Sequence, residues 1–223
     1  MTSDHTLYLE KTDAYFDFAR TDIAPLLPER MNRVLEIGCG AGATMKWLRT
    51  RQAVQFAVGI ETMPEMAHRA EAVFDVVLSD NIETMQLPAG DFDVIIALDV
   101  LEHLVDPWSV VRRLHGILNP NGIIIASIPS ITHYSVAAPL ALRGQWNYTE
   151  EGLLDRTHLR FFTRQTAIDL LTCSGLALDK VASIRRGPKF LSARARWYAL
   201  KLLTWILPGH LLDWQFLIRV KTA

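Results

Sequence analysis

The residue types able to do chemistry gather in three places. The first is a glycine-rich turn, Glu36-Ile37-Gly38-Cys39-Gly40-Ala41-Gly42, at the end of the apolar run that begins at Val34. Glycines there permit positive φ and a close backbone approach to a ligand, and the start of the following helix offers unpaired N–H groups. Glu61, about 20 residues on and at the end of the next apolar run, is placed to accept hydrogen bonds from both hydroxyls of a ribose. The second place holds Asp99, Glu102 and His103, two carboxylates and an imidazole that suit helix capping, acid–base work by His103, or a metal ion. The third is Asp155-Arg156-Thr157-His158-Leu159-Arg160-Phe161-Phe162, a polar-aromatic run in which His158 serves either as a base or as a brace paired with Asp155.

The glycines alone do not choose their ligand. Gly38, Gly40 and Ala43 also satisfy the spacing of a dinucleotide turn, which leaves NAD open. Glu36 discriminates. A carboxylate two positions before the first glycine repels a pyrophosphate and attracts a ligand that carries a sulfonium and an ammonium, so S-adenosylmethionine is favoured over NAD. Cys39, between two glycines, reads as a small side chain tolerated in a tight turn and is given no chemistry.

These groups need elements to hold them. Val34 to Ile37 and Phe56 to Ile60 read as short strands joined by a helix through Leu48, one βαβ unit. A helix from Pro64 to about Val73 and strands Val76 to Ser79 and Phe92 to Leu98 continue the alternation, which predicts a parallel sheet covered on both faces. Asp106 and Pro107 predict the cap and first turn of a helix with Trp108, Val111, Leu114 and Leu118 on one face, stopped by Asn119-Pro120-Asn121-Gly122 before a strand from Ile123 to Ile128. A helix from about Gln165 to Ser174, a strand Ala177 to Ile184 and a last strand Trp214 to Val220 complete the pattern. A helical lead from Leu7 to Leu27 precedes it.

Val34 to Gly42, Glu61, Asp80-Asn81-Ile82, Asp91-Phe92-Asp93-Val94-Ile95, Leu98 to Leu104 and Leu118 to Gly122 together resemble class I S-adenosylmethionine-dependent methyltransferases, in family order across about 100 residues. The resemblance implies an α/β fold: a Rossmann-like, doubly wound, seven-stranded sheet, mostly parallel with one antiparallel strand. It further implies that Gly38, Gly40 and Gly42 line the methionine part of the cofactor. Glu36 and Glu61 belong to the same site, with Glu61 on the ribose. Asp80, Asn81 and Ile82 would border the adenine, and Leu98 and Asp99 would face the methionine end. The Leu-Glu-His-Leu run is common in small-molecule members that use no metal, and only a branch that modifies RNA ends uses a similar cluster, so no metal is expected. Tyr15-Phe16 with Arg20, and the run from Asp155, are similar to members from surface-polysaccharide and quinone-type pathways. For methyl transfer to oxygen the acceptor must lose a proton, and His158 is the first choice of base with His103 the second.

The remaining segments concern the acceptor. From Pro129 to Arg164 the regular rhythm is lost for about 35 residues, far beyond the usual connection of roughly 4–6, which marks residues 130–164 as a substrate or lid insertion. Lys180 to Lys201 carries seven basic residues and no acid, overlapping the apolar run Phe190 to Leu207. That composition suits packing in the core, a homodimer contact, or peripheral contact with an anionic membrane. The expected acceptor is accordingly a small or lipid-linked molecule. The 223 residues, with 23 basic against 24 acidic side chains, suit one domain that includes a lead over 1–30 and a helical region over 188–212. Their balance gives no global field for nucleic acid, and none is expected as a partner. Two cysteines and a polar N-terminus predict a cytoplasmic setting. The alternative class of function is a non-catalytic cofactor-binding or partner-binding module.

Overall fold

The computed structural model describes residues 18–187 and 208–222. Seven strands form one sheet in the order β3-β2-β1-β4-β5-β7-β6. They are β1 (Arg33–Ile37), β2 (Phe56–Ile60), β3 (Val76–Leu78), β4 (Phe92–Leu98), β5 (Leu118–Pro129), β6 (Ala177–Arg185) and β7 (Asp213–Lys221). The first five pair in parallel, whereas β7 runs antiparallel to both β5 and β6. This is the doubly wound sheet with one antiparallel strand that the resemblance implies, and the last strand extends Trp214 to Val220 by one residue at each end.

Among the described residues, five α-helices connect the strands: α1 (Ala43–Arg51), α2 (Pro64–Ala70), α3 (Pro107–His115), α4 (Tyr134–Arg143) and α5 (Arg164–Thr172). The central strands bury both faces, as parallel strands under two helical layers must. On one face Leu35, Ile37, Ile95 and Ala97 pack with Val110, Val111 and Leu114 of α3 and Leu170 and Leu171 of α5. On the other, Val34, Val94 and Ile96 pack with Met45 and Leu48 of α1 and with Ile23 and Leu26. Each fully buried Leu or Ile contributes about 1.5–3 kcal/mol. These two layers fix the strand ends of β1, β2 and β4 beside one another.

Four expectations are corrected. The third helix ends at His115, and Leu118 opens β5 opposite Phe92, with a register shift before Val94 that takes up Asn119 to Asn121. Its buried face is Pro107, Val110, Val111 and Leu114, so Val111 and Leu114 of the expected stripe are buried, whereas Trp108 is not and Leu118 lies beyond the helix. Trp108 instead lies at the surface, under the Arg160 guanidinium and beside Phe162. The 130–164 insertion contains α4, which starts on a His133 cap and ends at Gly144. The second helix stops at Ala70, three residues early, and Val73 and Phe74 pack under the glycine turn. Of the lead, residues Thr21–Leu26 form a 3-10 helix, while the part up to Asp17, and the run Phe190 to Leu207, lie outside the described residues.

Candidate active site

The strand order leaves a cavity of about 530 Å³ at the C-terminal ends of β1, β2 and β4. Its wall includes Glu36, Gly38, Gly40, Glu61, Asp80, Asn81, Ile82, Leu98, Asp99 and His103, so nearly every expected site residue meets here. Gly42 does not border it. It holds φ +86 at the start of α1, and a Cβ there would press on Val73 and Phe74 at 3.1–3.3 Å. Gly38 has φ +64, and a Cβ would lie 2.5 Å from the Val100 side chain. The turn is tied to the next strand by Gly38 N–H to the Ile60 carbonyl, 2.8 Å.

Two acids stand beside this turn in different states of satisfaction. Glu61 is held by the main chain: Gly40 N–H donates to Oε2 at 2.9 Å and Met63 N–H to Oε1 at 3.0 Å. Glu36 is 4% exposed and its Oε2 has no hydrogen-bond partner. Burial, with the neighbouring Glu61 adding to it, pushes the Glu36 carboxyl up to about 8. Cys39 is buried between them, and burial raises its thiol away from thiolate character, in keeping with a packing role.

Asp99 closes the cavity at the end of β4 with φ +56, the one non-glycine residue at positive φ among the described residues. Its carboxylate takes the Arg20 guanidinium, the Ser127 hydroxyl at 3.0 Å and the Gln215 amide. Arg20 also binds Asp22 and the Gln215 oxygen at 2.9–3.1 Å. A residue from the lead, one from β5 and one from β7 thus hold a strained acid in place. Asp80 and Asn81 accept from the N–H groups of Asn81 and Glu83, at 2.7 and 2.9 Å, which shapes the turn after β3.

Beyond Asp99 the chain makes a single 3-10 turn, Leu101–His103. The Glu102 carbonyl accepts the N–H groups of both Leu159 and Arg160 at 2.9 Å, which docks the insertion on this turn. His158 is thereby brought behind His103, with ring centroids 4.7 Å apart and the rings edge-on. His103 borders the cavity, and His158, 8% exposed, does not. Asp155 receives both the N–H and the hydroxyl of Thr157, at 2.9 and 2.7 Å. Glu102 is 1% exposed, and burial, with Asp99 beside it, lifts its carboxyl well above the usual carboxylate range.

Residues 8–181 match the family model described as a methyltransferase domain. The chain belongs to the class I S-adenosylmethionine-dependent methyltransferases. The methyltransferase is 31% identical over 184 residues to a ubiquinone biosynthesis O-methyltransferase of Azorhizobium caulinodans, covering 79% of this chain and 69% of that one. It is 35% identical over 109 residues to the 27-O-demethylrifamycin SV methyltransferase of Amycolatopsis mediterranei, covering 45% and 40%. Its fold matches an S-adenosylmethionine-dependent methyltransferase from Archaeoglobus fulgidus with TM-score 0.66, 18% identity and 98% and 99% coverage. The N-methyltransferase NodS from Bradyrhizobium japonicum, solved with S-adenosyl-L-homocysteine, matches with TM-score 0.63, 17% identity and 100% and 99% coverage.

The cavity of the methyltransferase fits its cofactor on an independent observation. A buried glutamate with an unpartnered oxygen at the wall, Glu36, lacks a cationic donor, and the ammonium of S-adenosylmethionine is one. Sequence reasoning did not find Gln215 and Ser127 as partners of Asp99, because they lie 116 and 28 residues away and carry no motif. Nor did it find Arg186 and Glu151 at the cavity wall. No helix among the described residues is long and apolar enough to cross a membrane.

Proposed function

We propose that this methyltransferase transfers the cofactor's methyl group to a hydroxyl oxygen of a small or lipid-linked acceptor. The observation that carries the reading is the imidazole of His103 at the cavity wall next to Asp99, where an acceptor proton has to be received. The O-methyltransferase names of the relatives from Azorhizobium and Amycolatopsis support it. Bound S-adenosylmethionine supplies an electrophilic methyl on a sulfonium; the acceptor oxygen displaces the thioether and gives up its proton. Gly38 and Gly40 would accommodate the methionine part, and Glu36 would receive its ammonium. Glu61 would hold the ribose hydroxyls, and Asp80, Asn81 and Ile82 would border the adenine. His103 faces the acceptor and His158 supports it from behind. The lipid-linked half of the proposal rests on the basic and apolar composition of 180–207.

Matched acceptors that differ only in presenting a hydroxyl or an amine test the oxygen assignment, with release of S-adenosylhomocysteine as the readout. Turnover with the hydroxyl compounds is expected. Turnover confined to the amines would overturn it.

A further inference from the structure

Two guanidinium groups border the cavity, and they are employed differently. Arg20 is spent on Asp22, Asp99 and Gln215. Arg186, one residue past the end of β6, is exposed, and among the described residues no carboxylate pairs with it. Arg185 beside it is taken by Asp213 at 3.1 Å, and residues 188–207 contain no Asp or Glu that could serve as a counter-charge. A cation at a cavity wall without a counter-charge draws anions towards it and is ready to pair with one.

Arg186 is nevertheless held in place. Its guanidinium lies over the Trp214 ring, 4.9 Å from the centroid, a stacking that arginine favours and that leaves the edge of the fork able to donate. Its main chain is fixed by His133: Nδ1 accepts the Ser135 N–H at 3.3 Å, so Nε2 carries the ring proton and donates it to the Arg186 carbonyl at 3.1 Å. Burial keeps His133 below the ordinary imidazole range, in the neutral form that this pattern requires. The same ring packs edge-on against Trp214 with centroids 5.2 Å apart. His133 thus braces both the backbone of Arg186 and the platform under its side chain.

We propose that Arg186 binds an anionic group of the methyl acceptor, a carboxylate or a phosphate, and so selects acidic acceptors. Position separates this role from cofactor binding. The residues assigned to S-adenosylmethionine lie at or just after the ends of β1 to β4, whereas Arg186 follows β6, at the opposite edge of the sheet from β3. Gln215, which reaches Asp99, is the chain neighbour of Trp214 on β7, so Arg186 stands on the β7 side of the methionine end. A planar fork of N–H donors suits carboxylate and phosphate oxygens alike. Glu151 borders the same cavity, makes no ion pair with Arg186, and carries a charge that repels an anion. The proposal rests on the methyl-transfer reading of the cavity and not on oxygen as the methylated atom.

Calorimetric titration of the full chain loaded with S-adenosylhomocysteine tests this with hydroxyphenylacetate, hydroxyphenyl phosphate and the neutral hydroxyphenylacetamide. At least one anionic compound should bind about tenfold tighter than the amide, the low end for a hydrogen bond to a charged group at an exposed wall, and the tighter of the two tells carboxylate from phosphate. Arg186→Gln should erase that preference while leaving the thermal melt, the affinity for the amide and the affinity for S-adenosylhomocysteine unchanged. Lys180→Gln, which removes an exposed charge away from the cavity, should keep it. Four results would each overturn the proposal. They are no anion preference in the wild type, a preference that persists in a folded Arg186→Gln variant, an equal loss in Lys180→Gln, and loss of S-adenosylhomocysteine binding in Arg186→Gln, which would give the guanidinium to the cofactor's own carboxylate. An enzyme that methylates only amines yet prefers aminophenylacetate to its amide through Arg186 would keep the proposal and refute the hydroxyl reading.

Discussion

The Gly40 N–H donates to Glu61 Oε2 at 2.9 Å, so the glycine turn after β1 and the acid after β2 form one rigid unit. The main chain positions the acid that would hold the ribose, and the same acid fixes the turn on which the methionine part would lie. Glu61→Ala should therefore weaken S-adenosylhomocysteine binding about tenfold to a hundredfold, equivalent to roughly 1.5–3 kcal/mol for a charged hydrogen bond. Calorimetric titration of the folded variant checks this. Unchanged affinity would remove Glu61 from the ribose.

Glu36 makes cofactor binding sensitive to pH. Its carboxyl is neutral below about 8, and a ligand bearing an ammonium and a sulfonium favours the ionised form. Binding of S-adenosylmethionine should release a proton and tighten as pH rises towards 8, by at most about tenfold per unit. Because the folded state keeps a proton that an unfolded glutamate has lost above its ordinary 4.5, Glu36 makes stability fall as pH rises from there to about 8. Glu36→Gln should remove both slopes, as titrations in buffers of different ionisation enthalpy and melts across pH would record.

Gly38 combines φ +64 with a Cβ position only 2.5 Å from Val100. Gly38→Ala should destabilise the fold by about 1–3 kcal/mol and impair cofactor binding, since both the strain and the clash fall on the turn. A thermal melt unchanged from the wild type would contradict this.

The parts of the site legible in sequence were local ones. The glycine turn after Glu36, the acid at the next strand end and the Asp106-Pro107 cap are each short local patterns; Glu36, Gly38, Gly40 and Glu61 border the cavity while Gly42 does not, and Asp106 caps α3. Helix α4 was hidden because Pro139 interrupts it, an imidazole caps it, and only Val136 on it is buried, so no apolar stripe marks it. The α3 face keeps Val111 and Leu114 of the expected stripe but not Trp108, the largest apolar residue there, which lies at the surface under Arg160. The meeting of Glu102 with His158 was illegible for a different reason. It depends on two backbone hydrogen bonds from Leu159 and Arg160, which any side chain other than proline could make.

His103 and His158 should affect transfer and not cofactor affinity. His103→Ala is expected to lower kcat by about 10²- to 10⁴-fold, with S-adenosylhomocysteine binding near the wild-type value. His158→Ala should reduce kcat in the same direction, since it supports the ring that borders the cavity. Full turnover in both variants would remove acceptor activation from this cluster.

The most direct measurement is the fate of an isotopically labelled methyl group. The wild-type enzyme and His103→Ala are each mixed with methyl-labelled S-adenosylmethionine and a hydroxyl-bearing acceptor that supports turnover, and the label is located by mass spectrometry. The label should appear on the acceptor oxygen, with one S-adenosylhomocysteine formed per methyl transferred, and the rate should collapse in the variant. Label on nitrogen or carbon, or an undiminished rate in a folded His103→Ala variant, would contradict the account.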